Sequence, residues 1–209
     1  MKTFFITTLL VVVLCSTTFA APQITKDMSI AVMDLGTHED AVPHEINILN
    51  AGKASSEYLI QRLGQLGLNV TDRTFVEEKF RAANLNTTGL IDPDTAKKIG
   101  ELLGVDYLIY GNVNDVTLSE TGAMTEGVGL DLSTITVKAH VIIRVMKIET
   151  GQIIGMSKGE GSSKGSFVKI KGGEILTVSV GRTKVTQDSV LNALQKAAFD
   201  SIDKLIKKN

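Results

Sequence analysis

The stretch from Ala96 to Val113, AKKIGELLGVDYLIYGNV, constrains the fold most. Its first half repeats apolar residues at helical spacing: Ala96, Ile99, Leu102 and Leu103. This spacing indicates a helix with one buried stripe, which Asp92 and Pro93 are suited to begin and Gly104 to end. The apolar run at 107–110 then predicts a buried strand. A helix that leads into a strand through one glycine-containing turn is typical of a layered α/β domain.

The first twenty residues have the pattern of a secretory signal peptide. Lys2 is their only charged residue, and an uninterrupted apolar run extends from Leu9 to Leu14. Thr18-Phe19-Ala20 follows as a small-x-small cleavage pattern, and the apolar run is too short to cross a membrane. We therefore expect residues 1–20 to be removed and residues 21–209 to form the mature protein.

Cys15 is the only cysteine in the chain and lies inside this leader. Two interpretations are open: a lipoprotein attachment site, or a cysteine that is removed with the leader. A lipidated cysteine normally follows a small residue, whereas Cys15 follows Leu14. The sequence therefore favours a mature chain without lipid, disulfide or thiolate site.

Charge and length restrict the function classes of the mature chain. Of the 22 Lys and Arg residues only Lys2 lies in the leader, which leaves 21 against 23 Asp and Glu, a net charge of −2. This balance provides no strongly basic surface for nucleic acid. About 190 residues are enough for one domain with its own core.

Helices and strands alternate through the first half of the mature chain. The predicted elements before Ala96 are a strand at Ser29–Leu35, a helix at Asn50–Leu66, a strand at Leu68–Thr71 and a helix at Phe75–Ala83. In the last of these we expect Phe75, Val76 and Phe80 to point inward. A mixed sheet covered by helices, an α/β fold, accounts for this order.

From about residue 112 to 181 the helical period gives way to alternation with glycine. An 11-residue strand at Ile135–Val145 has one apolar side, and residues 149–152 turn it back into a strand that begins at Ile153. Further on, Gly172-Gly173 predicts a two-residue turn in a shorter hairpin. We expect extended β-hairpins at Gly122–Lys138 and Ser166–Val180, followed by a final helix at Thr186–Lys208.

The order of several segments resembles the curli production assembly/transport component family, CsgG, which is related to lipoprotein activators of penicillin-binding proteins. The segments are IAVMDLG, an alanine-containing helix, NVTDRTFVEEKF, AKKIGELLGVDYLIYGNV and VIIRVMKIETGQII. The resemblance covers roughly residues 29–209. It implies an extracytoplasmic, non-enzymatic α/β domain. In the curli channel itself, two hairpins per subunit join those of neighbouring subunits in an outer-membrane barrel.

The resemblance also implies a constriction loop after the first strand. In the channel this loop carries aromatic and Asn side chains, whereas residues 36–50 here contain no Phe, Tyr or Trp. The nearest candidates for such a constriction or interaction loop are His44, Asn47 and Ile48.

The two hairpins are the candidate surface for assembly. The candidate interface residues are Val128, Leu130, Leu132, Val168, Ile170, Leu176 and Val178. A spanning strand needs about 9–11 residues with an apolar outward side. In the first hairpin only Val128, Leu130 and Leu132 are outward apolar residues, because the alternation changes phase near Ser133. Two alternatives stay open: hairpins that span a membrane, and hairpins that border the sheet or pair with another subunit.

Patterns of catalysis and metal binding are weak. Gly52-Lys53-Ala54 lacks the residues of a phosphate loop. One loop combines potential ligands at His38, Glu39, Asp40, His44 and Glu45, but their spacing fits no ordered metal motif. His140 lies on the polar side of a predicted strand, where we expect a structural role. The sequence predicts no enzyme, catalytic residue, metal or cofactor.

Two functional hypotheses follow. In the first, the chain is a component of a curli-type secretion and assembly complex at the outer membrane and oligomerises through its hairpins. In the second, it is a soluble periplasmic protein-interaction module that regulates or activates a cell-envelope protein without forming a pore. Both predict an exported protein whose partners are copies of itself or envelope proteins, and neither involves nucleic acid.

We predict that the exported protein begins at Ala21 and carries no lipid, because Thr18-Phe19-Ala20 provides a cleavage pattern and Leu14 is a poor neighbour for a lipidated Cys15. Mass spectrometry of the exported protein checks both statements. A diacylated N-terminus on Cys15 would contradict them.

Overall fold

A computed structural model describes residues 26–37, 41, 50–83, 92–124, 130–172 and 176–207. The strands are β1 (Ser29–Val32), β2 (Gly36–Thr37), β3 (Asn69–Val70), β4 (Tyr107–Met124), β5 (Leu130–Lys147), β6 (Gln152–Gly172) and β7 (Leu176–Val180). The helices are α1 (Ala51–Gln65), α2 (Arg73–Ala82), α3 (Pro93–Leu103) and α4 (Arg182–Lys207). The predicted α/β fold, a mixed sheet covered by helices, is confirmed.

All seven strands belong to one sheet, whose main path is β3-β1-β4-β5-β6-β7. The short strands form parallel pairs: β1 pairs with both β3 and β4, and β2 pairs with β4. From β4 to β7 every pairing is antiparallel. The sheet therefore has a compact mixed half and an extension built from three long strands.

Two hydrophobic clusters lie on opposite faces of the sheet. The first joins α1 and α4 to one face of the sheet and includes the predicted apolar row of β5: Ile135, Val137, Ala139, Val141, Ile143 and Val145. The second joins α2 and α3 to the other face, near Leu108, Tyr110 and Met146. Since this second cluster involves only the part of β4 and β5 nearest α3, the extension has a helix on one face alone.

The extension depends on a close approach of α4 to β6. Residues of β6 that face the helix are small: Gly155, Ser157, Gly159, Gly161, Ser163 and Gly165. A Cβ atom on Gly159 would lie 1.9 Å from the carbonyl oxygen of Ala197, and one on Gly161 would lie 1.9 Å from that of Ala193. The helix therefore packs against the strand's backbone at a distance that only glycine permits.

The predicted beginning and end of α3 are confirmed. Asp92 caps the helix, with its side chain accepting a hydrogen bond from the Thr95 backbone N–H at 3.0 Å. Gly104 follows Leu103 in the left-handed conformation, with φ 66°. Both agree with the preferences of helix termini for a short polar residue before the first turn and glycine after the last.

Several local predictions were wrong. Phe75 is 39% exposed beside the Lys79 ammonium, because it lies on the solvent side of α2, and Leu102 is 37% exposed on α3. Gly172 is still paired with Leu176, so the predicted two-residue turn at Gly172-Gly173 does not form. The last helix begins at Arg182, before the predicted Thr186, because Gly181 provides the left-handed residue that ends β7.

The long strands also differ from the sequence-based expectation. The predicted 11-residue strand is the middle of the 18-residue β5, and the strand that begins at Gln152 continues for 21 residues. Backbone pairing extends these strands through positions where the side chains are polar or absent. Within the described ranges, no helix combines the length and apolar character needed to cross a membrane.

We predict opposite effects of alanine at two glycines. Gly159→Ala should lower the free energy of unfolding by about 1–3 kcal/mol, because the new methyl group overlaps the α4 backbone. Gly64→Ala is the matched control: a Cβ at that position in α1 meets nothing within 4 Å. The control should stabilise the protein by up to about 1 kcal/mol, the helix-propensity difference between the two residues. Urea unfolding of both variants measures this, and equal effects would contradict the close packing.

Candidate functional site

One side of the sheet's extension is not covered by any of the described helices, and we call it the outer face. Side chains alternate along a strand, so the residues that do not face α4 form a single surface. The outer face comprises Asp115, Thr117, Ser119 and Thr121 on β4, Leu132, Thr134, Thr136, Lys138 and His140 on β5, and the even-numbered residues from Lys158 to Ile170 on β6. Most of it is polar.

An apolar patch lies at the far end of the outer face. Its described members are Leu132, Val168 and Ile170, which are 55%, 38% and 44% exposed. Leu132 pairs directly with Val168, and Ile170 follows on the same side of β6. We call these three residues the distal patch. Three of the seven predicted interface residues thus meet on one exposed surface.

The other predicted site residues are placed less fully. Leu130 and Val178 are both register partners of Ile170, and Leu176 pairs with Gly172, so their backbones border the distal patch. The side chains of these three residues lie outside the described part, as do Val128 and the loop candidates His44, Asn47 and Ile48. Their roles stay predictions.

A cluster of charges lies beneath the distal patch, on the side that faces α4. The Lys169 ammonium donates a hydrogen bond to a Glu120 carboxylate oxygen, and Arg182 Nε lies 3.4 Å from the second oxygen. The hydrogen bond from Lys169 holds the pKa of the Glu120 carboxyl below its ordinary value of 4.5. This cluster ties β4 and β6 to the first turn of α4 where the apolar core ends.

His140 lies in a row of charged groups across three strands of the outer face. Its Nδ1 is 3.3 Å from Asp115 Oδ2 on β4, and its Nε2 is 3.8 Å from Glu160 Oε1 on β6. Both carboxylates belong to its direct register partners. These cross-strand contacts agree with the structural role predicted for this residue.

Arg73 forms ion pairs with residues of three different segments. The sequence did not predict this network. Its guanidinium contacts Asp34 after β1 at 2.5 Å, Glu57 on α1 at 2.7 Å and Glu77 on α2 at 3.0 Å. The side chain is 20% exposed. The network connects the end of a parallel strand with both neighbouring helices. The only signal in the sequence was the position of Arg73 directly after Asp72, the residue that caps α2.

Metal ligands do not gather in the described part of the chain. Within it, no group of three or more His, Cys, Asp or Glu side chains is arranged to hold an ion. The potential ligands of the predicted polar loop, from His38 to Glu45, lie outside that part.

The comparison with protein families gives a match over most of the sequence. The model described as curli production assembly/transport component CsgG matches residues 15–209. The chain belongs to the CsgG family. It is therefore an extracytoplasmic CsgG-like protein associated with the cell envelope. No curated protein matches the sequence.

Several solved structures are similar to the chain. The LpoB C-terminal domain from Salmonella enterica is 14% identical, with a TM-score of 0.42, and the match covers 67% of this chain and 86% of that one. Lipoprotein GNA1162 from Neisseria meningitidis is 18% identical, with a TM-score of 0.41, and the match covers 66% of this chain and 83% of that one. The PelC dodecamer from Paraburkholderia phytofirmans is 10% identical, with a TM-score of 0.40, and the match covers 89% of this chain and 94% of that one.

We predict that Glu120 makes stability depend on pH. Its pKa is lower in the folded protein than in the unfolded chain, so between the two values the unfolded chain binds more protons and stability rises with pH. The contribution of the Glu120 carboxylate to the free energy of unfolding is fully present above about pH 4.5, and it is lost as the pH falls through the pKa of the folded state. Glu120→Gln should flatten the acid side of the stability profile measured by urea unfolding.

Lys169→Met is the companion variant, since it removes the donor that lowers the pKa of Glu120. It should flatten the profile as well, and the double variant should add little to either single change. A profile for Glu120→Gln that matches the unmodified protein would contradict the assignment.

Proposed function

We propose that the chain is a non-enzymatic component of a curli-type secretion and assembly complex at the outer membrane, and that copies meet through the ends of their hairpins. The observation that carries this proposal is the distal patch. Leu132, Val168 and Ile170 are exposed together, while the apolar row of β5 beneath α4 is buried. A cluster of exposed apolar side chains at the end of a long hairpin is typical of a contact surface.

The free edge of β4 supports assembly of strand with strand. In the described part of the chain, Tyr107–Val113 lies beside β1 and β2, whereas Asp115–Met124 pairs only with β5. An unpaired edge of ten residues offers backbone donors and acceptors to an added strand. The distal patch lies at the same end of the sheet, because Ala123 is the register partner of Leu132.

A second candidate function is a periplasmic interaction module that regulates or activates an envelope protein without forming a pore. The polarity of the outer face favours it. Beyond Leu132 the outward residues of β5 are Thr134, Thr136, Lys138 and His140. A strand side that meets lipid is apolar over about 25 Å, and this side is not. In this version the distal patch binds a partner protein from the aqueous side.

Neither version includes a catalytic step or a bound metal. The charged groups that the structure brings together are engaged with one another: Glu120 with Lys169, His140 with Asp115, and Arg73 with three carboxylates. These contacts join secondary-structure elements, as expected of structural ion pairs.

Charge at the distal patch tests the assembly surface. Leu132→Asp with Ile170→Asp should abolish oligomers or partner binding while the monomer still folds, because both side chains lie on the outer face, away from α4. Sedimentation velocity measures oligomers, and circular dichroism checks folding. Gln61→Asp with Gln187→Asp, at exposed positions of α1 and α4 away from the strand edges, is the control with the same added charge and should behave like the unmodified protein.

Extraction with carbonate separates the two versions, since hairpins that span the membrane resist it and an interaction module is released. If the unmodified protein is monomeric at every concentration and the double Asp variant leaves all partner binding unchanged, both versions of the proposal fail.

A further inference from the structure

The last strand and the last helix follow the same edge of β6. β7 pairs with β6 through the backbone, from Gly172↔Leu176 to Val168↔Val180. Gly181 then adopts a left-handed conformation, φ 77°, and α4 continues along β6 toward Gly155, which lies beside Leu205. The edge of β6 that β7 leaves uncovered therefore runs next to one flank of α4.

Three side chains of α4 bind the backbone of β6 along this edge. Lys196 Nζ donates to the carbonyl oxygen of Ser162 at 2.9 Å, and Lys204 Nζ donates to that of Lys158 at 3.2 Å. Between them, Asp200 Oδ2 accepts a hydrogen bond from the Glu160 N–H at 2.8 Å. These are the groups that a neighbouring strand would otherwise bind.

The spacing of helix and strand makes this arrangement possible. Lys196, Asp200 and Lys204 are four residues apart, which in an α-helix is about 6 Å. Ser162, Glu160 and Lys158 are two residues apart, which in a strand is about 6.7 Å. The flexible lysine side chains take up the small difference. Each step along the helix therefore meets the next edge-facing group of the strand.

The charges also match the polarity of the edge. The groups bound on β6 alternate as carbonyl, N–H and carbonyl, and the helix presents ammonium, carboxylate and ammonium in the same order. Lys204 Nζ is 2.6 Å from Asp200 Oδ2, so the members of the row also hold each other in place. Hydrogen bonds with one charged partner are stronger than those between neutral groups.

We propose that Lys196, Asp200 and Lys204 form an edge guard, which occupies the edge of β6 from Lys158 to Ser162 and prevents strand addition by a second copy of this chain. The guard turns a strand edge that could template edge-to-edge pairing into a closed one. It leaves the edges of β4 and β7 to govern assembly. The guard rests on hydrogen bonds between side chains of α4 and the backbone of β6, and it holds whether or not the distal patch is the assembly surface.

Opening the guard should create self-association that depends on the edge of β6. The test variant is Lys196→Met with Asp200→Ala, which frees the Ser162 carbonyl and the Glu160 N–H. The control is Lys184→Met with Asp188→Ala, exposed residues of the same helix with the same spacing and the same change in charge. Both are made with Leu132→Asp and Ile170→Asp, so that the distal patch does not contribute.

Two measurements report the result. Amide exchange at Glu160 in the test variant should accelerate roughly tenfold or more, since its hydrogen bond to a carboxylate is lost. Sedimentation velocity should show association that grows with concentration in the test variant and not in the control. Faster exchange at Glu160 without any association would overturn the proposal. If the double change does not fold, Lys196→Met alone, which frees the Ser162 carbonyl, is compared with Lys184→Met by sedimentation velocity.

Glu160→Pro shows whether association uses this edge. The Glu160 N–H points to the edge and makes no bond to β5, so proline removes an edge donor and is tolerated at such positions. Added to the test variant, it should abolish the new association. If association persists, the contact lies elsewhere and the guard is refuted.

Discussion

The contact on which the rest of the structure depends is the backbone approach of α4 to β6. Gly159 and Gly161 leave no room for a side chain between strand and helix, and Ala193 and Ala197 complete the contact from the helix. At this distance the long side chains on the flank of α4 reach the edge of β6, and its apolar stripe covers the inner row of β5. The packing of α4 on β6 therefore determines which face of the extension is buried and which strand edge is occupied.

This placement of α4 also determines which chemistry stays accessible. The inner face of the extension ends in the charges around Glu120, whose carboxylate contacts both Lys169 and Arg182 where the helix begins. No described helix covers the outer face, which presents hydroxyl, ammonium and carboxylate groups and, at the distal patch, exposed apolar side chains. A partner that approaches the extension meets a polar strand surface with one apolar end, and such a surface suits contact at the hairpin ends better than contact along their length.

The sequence predicts the parts of this fold in which side-chain polarity follows backbone geometry. The apolar row from Ile135 to Val145 gives β5 its inner face, and the Asp92 cap and Gly104 bound α3. The rest depends on contacts between distant segments. The length of β6 could not be predicted from the sequence, because glycine and serine on its inner side interrupt the apolar alternation that indicates a strand. Arg73 needs Asp34 and Glu57, which only the folded chain brings beside it. The prediction that Phe75 points inward was wrong because the buried stripe of α2 is formed by Val76 and Phe80. At the distal patch, the alternation of Val168 and Ile170 with lysines placed both apolar side chains on one side of β6, where they are exposed, and their role as an interface stays a prediction.

The position of α4 closes two parts of the extension at once, the apolar side of β5 and the edge of β6. The longest apolar strand side here is the inner row of β5, which runs for eleven residues, or about 35 Å of strand, long enough to meet the interior of a membrane. That row is the one that α4 covers. For it to meet lipid, α4 must leave, and its departure would expose the glycine surface of β6 and release Lys196, Asp200 and Lys204 from the edge in the same step. Access to the apolar face and access to the strand edge are therefore coupled through one helix. With α4 in place, the extension keeps both the apolar row of β5 and the edge of β6 closed and offers partners its distal end.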